Sequence, residues 1–405
     1  MNIFRNRLFL AANFGHLILD TFNSSGPILV AVLGVSLGLN NKSIGLAIGL
    51  YQFAGAFGQP LFGWLADRYR LPWLMGSSVA WTVGLLALSI VGAQSGQFAL
   101  FLVPYVLASF GSAAFHPVGT KNAALTATRQ AATATALFFW FGQVGLATGP
   151  ALSGFILDNY STNGIITLAF LSTPVILLVL FLSITGSAPS PPPPSADKSR
   201  QVKRAAQKVT AGAIIVLILH SLFRSWAQIG TVAFLPKLLQ DQGWNSTTFG
   251  AALSLMWVAS AFSGVLAGYA ADRFGRRQVV FWVTLLSVGP LFFLPILRAP
   301  LVIFVLAFLA GGLTGAPHSI IVVIAQAMMP NKQATASGLI LGLIFGMGAV
   351  ATVAIGWLAD IWSLERALQV GALMALLAAL TALALPQTRR PTEIEPLPET
   401  ESAAV

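Results

Sequence analysis

Ionisable side chains inside long apolar stretches are the residues of this sequence with the clearest capacity for chemistry. They are His16, Asp20, His116, Lys121, His220, Arg224 and His318. A charge near the centre of a bilayer costs about 2.5–3.5 kcal/mol on insertion scales, so such residues face a water-filled cavity or one another. We therefore expect these residues to line a pathway for protons or for a solute.

Two of these residues, Asp20 and Arg224, each follow a histidine by four positions. Four residues are about one helical turn, so Asp20 shares a helix face with His16, and Arg224 shares one with His220. We hypothesise that Asp20 and Arg224 form a switchable pair, in which a proton on Asp20 frees Arg224 to meet an anionic substrate. The alternative is a permanent structural ion pair.

The histidines could titrate near neutral pH. We favour His16 and His116 as proton carriers, although a buried histidine is also a common packing element. Lys121 either extends its amine to the membrane interface or attracts anions. No carboxylate-rich or cysteine-containing ligand spacing accompanies the histidines, so we expect no metal site.

Enzymatic chemistry is not indicated by the motifs of the chain. We find no phosphate-binding loop, dinucleotide-binding glycine pattern or nucleophile elbow in a suitable context. We also find no clustered nucleophile and base. We therefore expect neither an enzyme nor a cofactor, and energy from an ion gradient rather than from ATP.

The elements that must hold these residues are membrane helices. The chain is 56% hydrophobic and 8% charged, whereas a soluble domain carries about a quarter charged residues. Apolar stretches of about 18 or more residues recur, without the alternation of a β-barrel strand. They predict an all-α polytopic membrane protein with twelve transmembrane helices, at 8–35, 43–66, 73–94, 98–123, 131–157, 164–186, 210–236, 247–271, 278–297, 300–328, 334–359 and 366–386.

Lysine and arginine predict the orientation. With the N-terminus in the cytoplasm, sixteen of these residues fall on the cytoplasmic side and four on the other side. The bias predicts a multi-pass protein of the inner (plasma) membrane with both termini cytoplasmic. No small-residue cleavage site ends a short apolar region near the N-terminus, so we expect the first span to be uncleaved. The net charge of +10 is spread between the spans rather than gathered on one face, so we do not expect a nucleic-acid partner.

An internal repeat divides the chain into two halves. His16 recurs as His220 after 204 residues, and His116 recurs as His318 after 202 residues. Asp158 recurs as Asp360, also after 202 residues. Such parallel repeats predict two pseudo-symmetric six-helix bundles with a substrate site between them. A Pro/Ser run followed by basic residues marks a linker, so the predicted parts are 1–186, a cytoplasmic linker at 187–208, 209–386 and a cytoplasmic tail at 387–405.

The repeat also carries a family resemblance. Gly63-x-Leu65-Ala66-Asp67-Arg68 recurs after 205 residues as Gly268-x-Ala270-Ala271-Asp272-Arg273, and a Phe115-His116-Pro117-x-Gly119 run lies in the fourth span. With these motifs the sequence resembles the major facilitator superfamily over nearly its whole length. Within that superfamily it is similar to the fosmidomycin-resistance-type efflux proteins.

The resemblance implies a cytoplasmic gate at the two loop motifs. Its residues would be Asp67, Arg68, Asp272, Arg273 and Arg276. A carboxylate close to helix N-termini and arginines makes a latch that can break and re-form, although a static loop anchor is the alternative. The first half lacks the Gly and the paired basic residues after Arg68.

Small residues in the fifth span form a second motif. Gly145 and Gly149 are four residues apart, and Pro150 and Gly154 follow. This spacing allows close approach of helices, and in the superfamily a similar Gly-Pro motif marks antiporters. Simple helix packing is the alternative. Leu107 stands where related proton-coupled antiporters often carry an arginine.

Together these observations predict a secondary transporter. We expect a proton-coupled antiporter that exports a small drug-like or anionic compound, with a symporter or exchanger importing an organic anion as the alternative. Its partners would be the substrate, protons and the lipid bilayer, and the protein would be a monomer. A sensor would need a folded soluble domain, and a channel would not explain the paired loop motifs.

Overall fold

A computed structural model describes residues 3–69, 71–126, 131–186, 210–329 and 333–386. The predicted linker at 187–208 and the predicted tail at 387–405 lie outside these ranges. In the described part of the chain every regular element is a helix, which confirms the all-α prediction. The α-helices are α1 Arg7–Ser24, α2 Gly26–Ser36, α3 Asn41–Arg68, α4 Leu74–Gln94, α5 Phe98–Leu125, α6 Ala131–Leu171, α7 Thr173–Thr185, α8 Ala211–Ser225, α9 Thr231–Asp241, α10 Ser246–Phe274, α11 Arg276–Leu286, α12 Val288–Phe293, α13 Pro300–Gly315, α14 His318–Met328, α15 Gln333–Ile361 and α16 Leu364–Ala382.

The described helices follow the predicted spans in order. Nine stretches of described helix are long and apolar enough to cross a membrane. One of them, Thr133–Thr185, has 53 residues, which is enough for two crossings at about 20 residues each. It turns at Ser161, whose φ of 55° is not helical, between predicted spans five and six. Predicted spans two and nine correspond to α3 and to α11 with α12, which are not among the nine, so the number twelve stays a prediction.

The first and seventh spans are interrupted helices. Ser25 separates α1 from α2, and the π-helical turn Trp226–Gly230 separates α8 from α9. Interruptions of this kind are common beside functional sites because they re-aim the side chains around them. Here the π turn begins two residues after Arg224.

The two halves meet where α3 crosses α15 and where α6 crosses α10. A Cβ added at Gly45 would lie 3.2 Å from the Cα of Gly356, and one added at Gly154 would lie 3.3 Å from the Cα of Gly250. These two crossings are equivalent under the repeat. Glycine is required in both because the backbones approach too closely for a larger residue.

We call this end of the molecule the closed end. It contains the beginnings of α3 and α10, the end of α15 and the last turns of α6 before Ser161. Toward the other end of α10, a Cβ at Gly264 or Gly268 would meet no described atom within 4 Å. The closest approach of the halves therefore lies at the closed end.

Large apolar side chains cover the outside of the helices. Phe170, Val265 and Leu301 are each more than 70% exposed. Apolar exposure on this scale is unusual for a water-soluble monomer and suits a surface in contact with lipid tails. The exposed surface and the apolar helices together agree with a membrane protein.

Candidate functional site

A carboxylate held between two histidines lies inside the N-terminal half. Nε2 of His16 is 3.1 Å from Oδ2 of Asp20, and Nε2 of His116 is 3.5 Å from Oδ1 of the same carboxylate. The side chains of His16 and Asp20 are 3% and 7% exposed, whereas that of His116 is 28% exposed. The carboxylate is therefore buried, and His116 is the member of the cluster that solvent reaches.

Backbone carbonyls orient both imidazole rings. Nδ1 of His16 lies 2.8 Å from the carbonyl oxygen of Phe138, and Nδ1 of His116 lies 2.8 Å from that of Ser112. A carbonyl oxygen only accepts hydrogen bonds, so Nδ1 carries the hydrogen in both rings. Both Nε2 atoms are thereby directed at the carboxylate of Asp20.

Neutral polar side chains complete the cluster. Asn23 donates from Nδ2 to Oδ1 of Asp20 at 3.1 Å and to Oγ of Ser112 at 3.0 Å. The hydroxyl of Tyr51 donates to Oδ1 of Asn23 at 2.5 Å. The cluster thus joins α1, α3 and α5 through hydrogen bonds.

Helix α6 supports the cluster from behind. A Cβ added at Gly142 would lie 2.4 Å from Nε2 of His16. Cβ atoms at Gly145 and Gly149 would lie 2.5 and 2.1 Å from backbone oxygens of α1. These three glycines let α6 lie directly against α1.

The small-residue motif of the fifth span faces two partners. Gly145 and Gly149 contact α1, whereas the carbonyl of Pro150 and the Cα of Gly154 lie against Gly250 of α10 in the other half. The geometry accounts for all four residues through helix packing. Their function as an antiporter motif stays a prediction.

A buried guanidinium lies in the C-terminal half. Arg224 is 1% exposed. Its Nη2 donates to Oε1 of Gln228 at 2.8 Å and approaches Nδ1 of His318 at 3.4 Å. Nε and Nη1 have no hydrogen-bond partner among the described residues. Arg224 therefore retains donor capacity inside the protein.

His220 repeats the anchoring of His16 but not its surroundings. Its Nδ1 donates to the carbonyl of Ala378 at 2.9 Å, and its Nε2 has no partner in the part of the chain that the structure describes. His16 is anchored on α6, whereas His220 is anchored on α16. The halves are similar in backbone but differ in the chemistry of their polar residues.

The predicted ion pair between Asp20 and Arg224 is not formed in this structure. Asp20 bonds to residues of its own half, and Arg224 bonds to Gln228 and His318. Lys121 is exposed near the end of α5. It follows His116 by five residues, which is about 140° around the helix.

The predicted cytoplasmic gate residues lie at the ends of α3 and α10 opposite the closed end, and Arg276 begins α11 there. Arg68 is exposed and stacks near Trp64, with 5.9 Å between the guanidinium carbon and the ring centroid. Asp272 and Arg273 are exposed, and Arg276 is partly buried. The side chain of Asp67 lies outside the described residues, so the gate stays a prediction.

Asp158 and Asp360 bond across the closed end. Asp158 accepts from the backbone N–H groups of Ser246 and Thr247, at 2.9 and 2.7 Å. Asp360 accepts from those of Asn41 and Lys42, both at 3.0 Å. Each carboxylate therefore joins its own half to the beginning of a helix in the other half.

Sequence reasoning missed the polar neighbours Asn23 and Gln228. Asn23 follows Asp20 by three residues, and Gln228 follows Arg224 by four, so extending each helix face by one turn would have found them. The carbonyl of Phe138 could not have been found in this way, because only packing brings it to His16.

A metal ion could be held by one arrangement in the described part of the chain. Both Nε2 atoms of the N-terminal cluster and a carboxylate oxygen of Asp20 lie within 4.8 Å of one another. Protons can bridge the same contacts. The expectation of no metal site is therefore still a prediction.

The sequence model of the Major Facilitator Superfamily matches residues 12–236 and 217–404. The chain belongs to the major facilitator superfamily. It is 26% identical over 382 residues to the fosmidomycin resistance protein of Escherichia coli (strain K12), and the match covers 94% of this chain and 92% of that protein. An "uncharacterized MFS-type transporter", YfnC of Bacillus subtilis (strain 168), is 28% identical over 361 residues, covering 85% and 84% of the two chains.

Solved structures of the superfamily share the fold. The crystal structure of a D-xylose-proton symporter matches with a TM-score of 0.72 at 16% identity, covering 95% of this chain and 98% of that one. The two-half architecture of the major facilitator superfamily is therefore the fold of this chain. The protein is a secondary transporter of the membrane, and nothing indicates catalytic activity.

Proposed function

We propose that this protein is a proton-coupled antiporter that exports a small drug-like or anionic compound by alternating access. The observation that carries the proposal is the separation of buried charge. A carboxylate lies between two histidines in one half, and a guanidinium that is incompletely bonded among the described residues lies in the other half.

The N-terminal cluster has the composition of a proton-binding site. Both Nδ1 atoms donate to carbonyls, so each neutral histidine would turn an Nε2 lone pair toward the carboxylate of Asp20. A lone pair and a carboxylate repel each other, and a proton placed between them replaces the repulsion by a charge-assisted hydrogen bond. The three groups can take up two protons, which changes their net charge from −1 to +1.

Exposure suggests the route of the protons. His116 is the most exposed of the three side chains, and His16 and Asp20 lie behind it. Protons would reach Asp20 through His116. His16, stacked on Phe138 with 4.0 Å between ring centroids, would hold the inner side of the carboxylate.

Arg224 supports the choice of an anionic substrate. A buried charge without full hydrogen bonding is costly, and an anionic group that accepts from its free nitrogens would offset that cost. The tryptophan nitrogens of Trp226 and Trp257 are likewise buried without described acceptors. Competition of deprotonated Asp20 with the substrate for Arg224 would favour binding of substrate and protons together, as in the symporter considered below.

The direction of export is supported by similarity to the fosmidomycin resistance protein. A proton symporter that imports an organic anion is the second candidate. It is favoured by electrostatics, because an anion is attracted to the protonated cluster, and the structural neighbour that couples sugar to protons has the same fold.

Transport in proteoliposomes with an imposed pH gradient tests the proposal. Fosmidomycin, the compound in the name of the relative, is the first probe, and other small organic anions follow. An antiporter moves the probe against the flow of protons, whereas a symporter moves it with the protons. Transport that is unchanged when the pH gradient is collapsed would disprove proton coupling.

A further inference from the structure

The caps of two helices at the closed end are shared between the halves. The beginning of α10 receives the carboxylate of Asp158 from α6, and the beginning of α3 receives that of Asp360 from α15. The four donor–acceptor distances lie between 2.7 and 3.0 Å. The repeat relates one arrangement to the other.

Each shared cap completes the first turn of its helix. The side chain of Asn40 accepts from the N–H of Ser43, and that of Asn245 accepts from the N–H of Thr248, both at 3.0 Å. These asparagines bond the third N–H group of α3 and α10, while the aspartates of the opposite half bond the first and second. A helix leaves its first N–H groups without internal partners and carries partial positive charge there, so a carboxylate is well suited to them.

Separation of the halves at the closed end must break both shared caps. All four aspartate–amide bonds cross between the halves and join residues 88 or more positions apart. The glycine crossings follow within about a turn: Gly45 against Gly356, and Gly250 against Gly154. The glycines allow the approach, and the carboxylates supply the directional bonds.

We propose that Asp158 and Asp360 are twin latches that keep the closed end shut and must release together when it opens. The proposal rests on the alternating-access function proposed above. With the predicted orientation, the closed end faces away from the cytoplasm, so the latches stabilise the inward-facing conformation. They act as positioning residues for the transport cycle and do not contact the substrate.

The absence of cysteine from the chain makes the opening directly measurable. Gln97→Cys and Ala299→Cys place one spin label before α5 and one before α13, at exposed positions that are equivalent in the two halves. The distance between the labels is measured by pulsed electron paramagnetic resonance on the full chain in nanodiscs, without substrate or gradient. The reading therefore does not depend on proton coupling.

Asp158→Asn and Asp360→Asn remove the charge of each latch. We expect the ratio of long-distance to short-distance populations to rise about three- to fivefold for each single variant, in line with the strength of charge–helix interactions. The double variant should show about the product of the two effects, because the sites are separate. Asp241→Asn is the matched control: this exposed aspartate ends α9 and pairs within its own half with Lys237, so it should leave the distances unchanged.

A second set of variants removes one of the two backbone donors of each latch and keeps the carboxylates. Proline is tolerated at the first position of a helix, where it lacks the N–H group. Asn41→Pro and Ser246→Pro fit because Asn40 and Asn245 before them are extended, with ψ of 170° and 164°. These variants should open the closed end as the asparagine variants do, while size-exclusion profiles remain those of the unmodified protein.

The distance distributions decide the proposal. A higher ratio of long-distance to short-distance populations in both sets of variants, with no change in Asp241→Asn, supports twin latches. Distributions of the double asparagine variant that coincide with those of the unmodified protein overturn them. If the latches behave as expected while transport ignores a pH gradient, the proposed coupling fails and the latches stand.

Discussion

At the scale of single residues, the two halves use the same histidine position for different purposes. His16 and His220 both donate from Nδ1 to a backbone carbonyl, which fixes their rings. One turn later the N-terminal half carries Asp20 and the C-terminal half carries Arg224. In our proposal the opposite charges make the N-terminal site a proton site and the C-terminal site an anion site.

Replacement of Asp20 tests the proton site. Asp20→Asn keeps an oxygen that can accept from a protonated histidine but removes the negative charge. We expect transport driven by a pH gradient to fall at least about tenfold, since hydrogen bonds to charged groups are worth about 1.5–3 kcal/mol. Exchange of labelled for unlabelled substrate without a gradient should persist. Full pH-driven transport in this variant would remove Asp20 from the proton pathway.

Replacement of Arg224 tests the anion site. Arg224→Ala removes a buried donor with two nitrogens that have no partner among the described residues, and we expect the Kd of an anionic substrate to rise by about ten- to a hundredfold. Arg224→Lys keeps the charge and should recover part of the affinity. Binding is measured by calorimetry in detergent, together with an uncharged analogue of the substrate. Equal losses for the charged and the uncharged compound would show that Arg224 only stabilises the fold.

At the scale of elements, the glycines of α6 decide how closely it approaches α1. Gly142→Ala would place a Cβ 2.4 Å from the ring of His16, and overpacking of this kind costs about 1–3 kcal/mol. We expect a lower melting temperature in detergent and a weakened proton response, because His16 must move. Gly84→Ala is the matched control, since its Cβ would meet no described atom within 4 Å. A helical Gly→Ala change without a clash should stabilise by up to about 1 kcal/mol.

Sequence periodicity was sufficient to place the polar residues on helices, but not to pair them. The four-residue spacing put His16 and Asp20 on one face, and the structure has them in contact. His116 reaches Asp20 only because α5 packs beside α1, which no local pattern encodes. The expected pairing of Asp20 with Arg224 was based on their equivalent positions on the first and seventh spans, whereas this structure joins each residue to its own half.

The same reasoning applies to the ends of helices. The repeat identified Asp158 and Asp360 as equivalent positions at the ends of spans five and eleven. Their bonds to α10 and α3 depend on how the two halves dock, and docking depends on particular glycines such as Gly154 and Gly250. Glycine is common along the whole chain. Spacing alone could not distinguish these glycines from Gly264 or Gly268, where an added Cβ would meet no described atom within 4 Å.

At the scale of the whole molecule, the binding of substrate and protons must be linked, and the sign of that linkage separates the two candidate functions. An antiporter carries protons and substrate in alternate half-cycles, so binding of one must weaken binding of the other. Linkage is reciprocal. Export by antiport therefore predicts that substrate binding releases protons and that the Kd of the substrate rises as the pH falls.

Electrostatic attraction between an anion and the protonated cluster acts in the opposite direction. If it dominates, substrate binding takes up protons and the protein works as a symporter. A pH indicator in weakly buffered detergent solution measures the sign directly, with Asp20→Asn as the variant in which the signal should disappear. Competition between Asp20 and the substrate for Arg224 acts in this second direction too, because a substrate that holds Arg224 leaves the carboxylate of Asp20 free to take up a proton. Proton release on substrate binding would therefore support antiport and contradict that competition, whereas proton uptake would support the competition and the symporter.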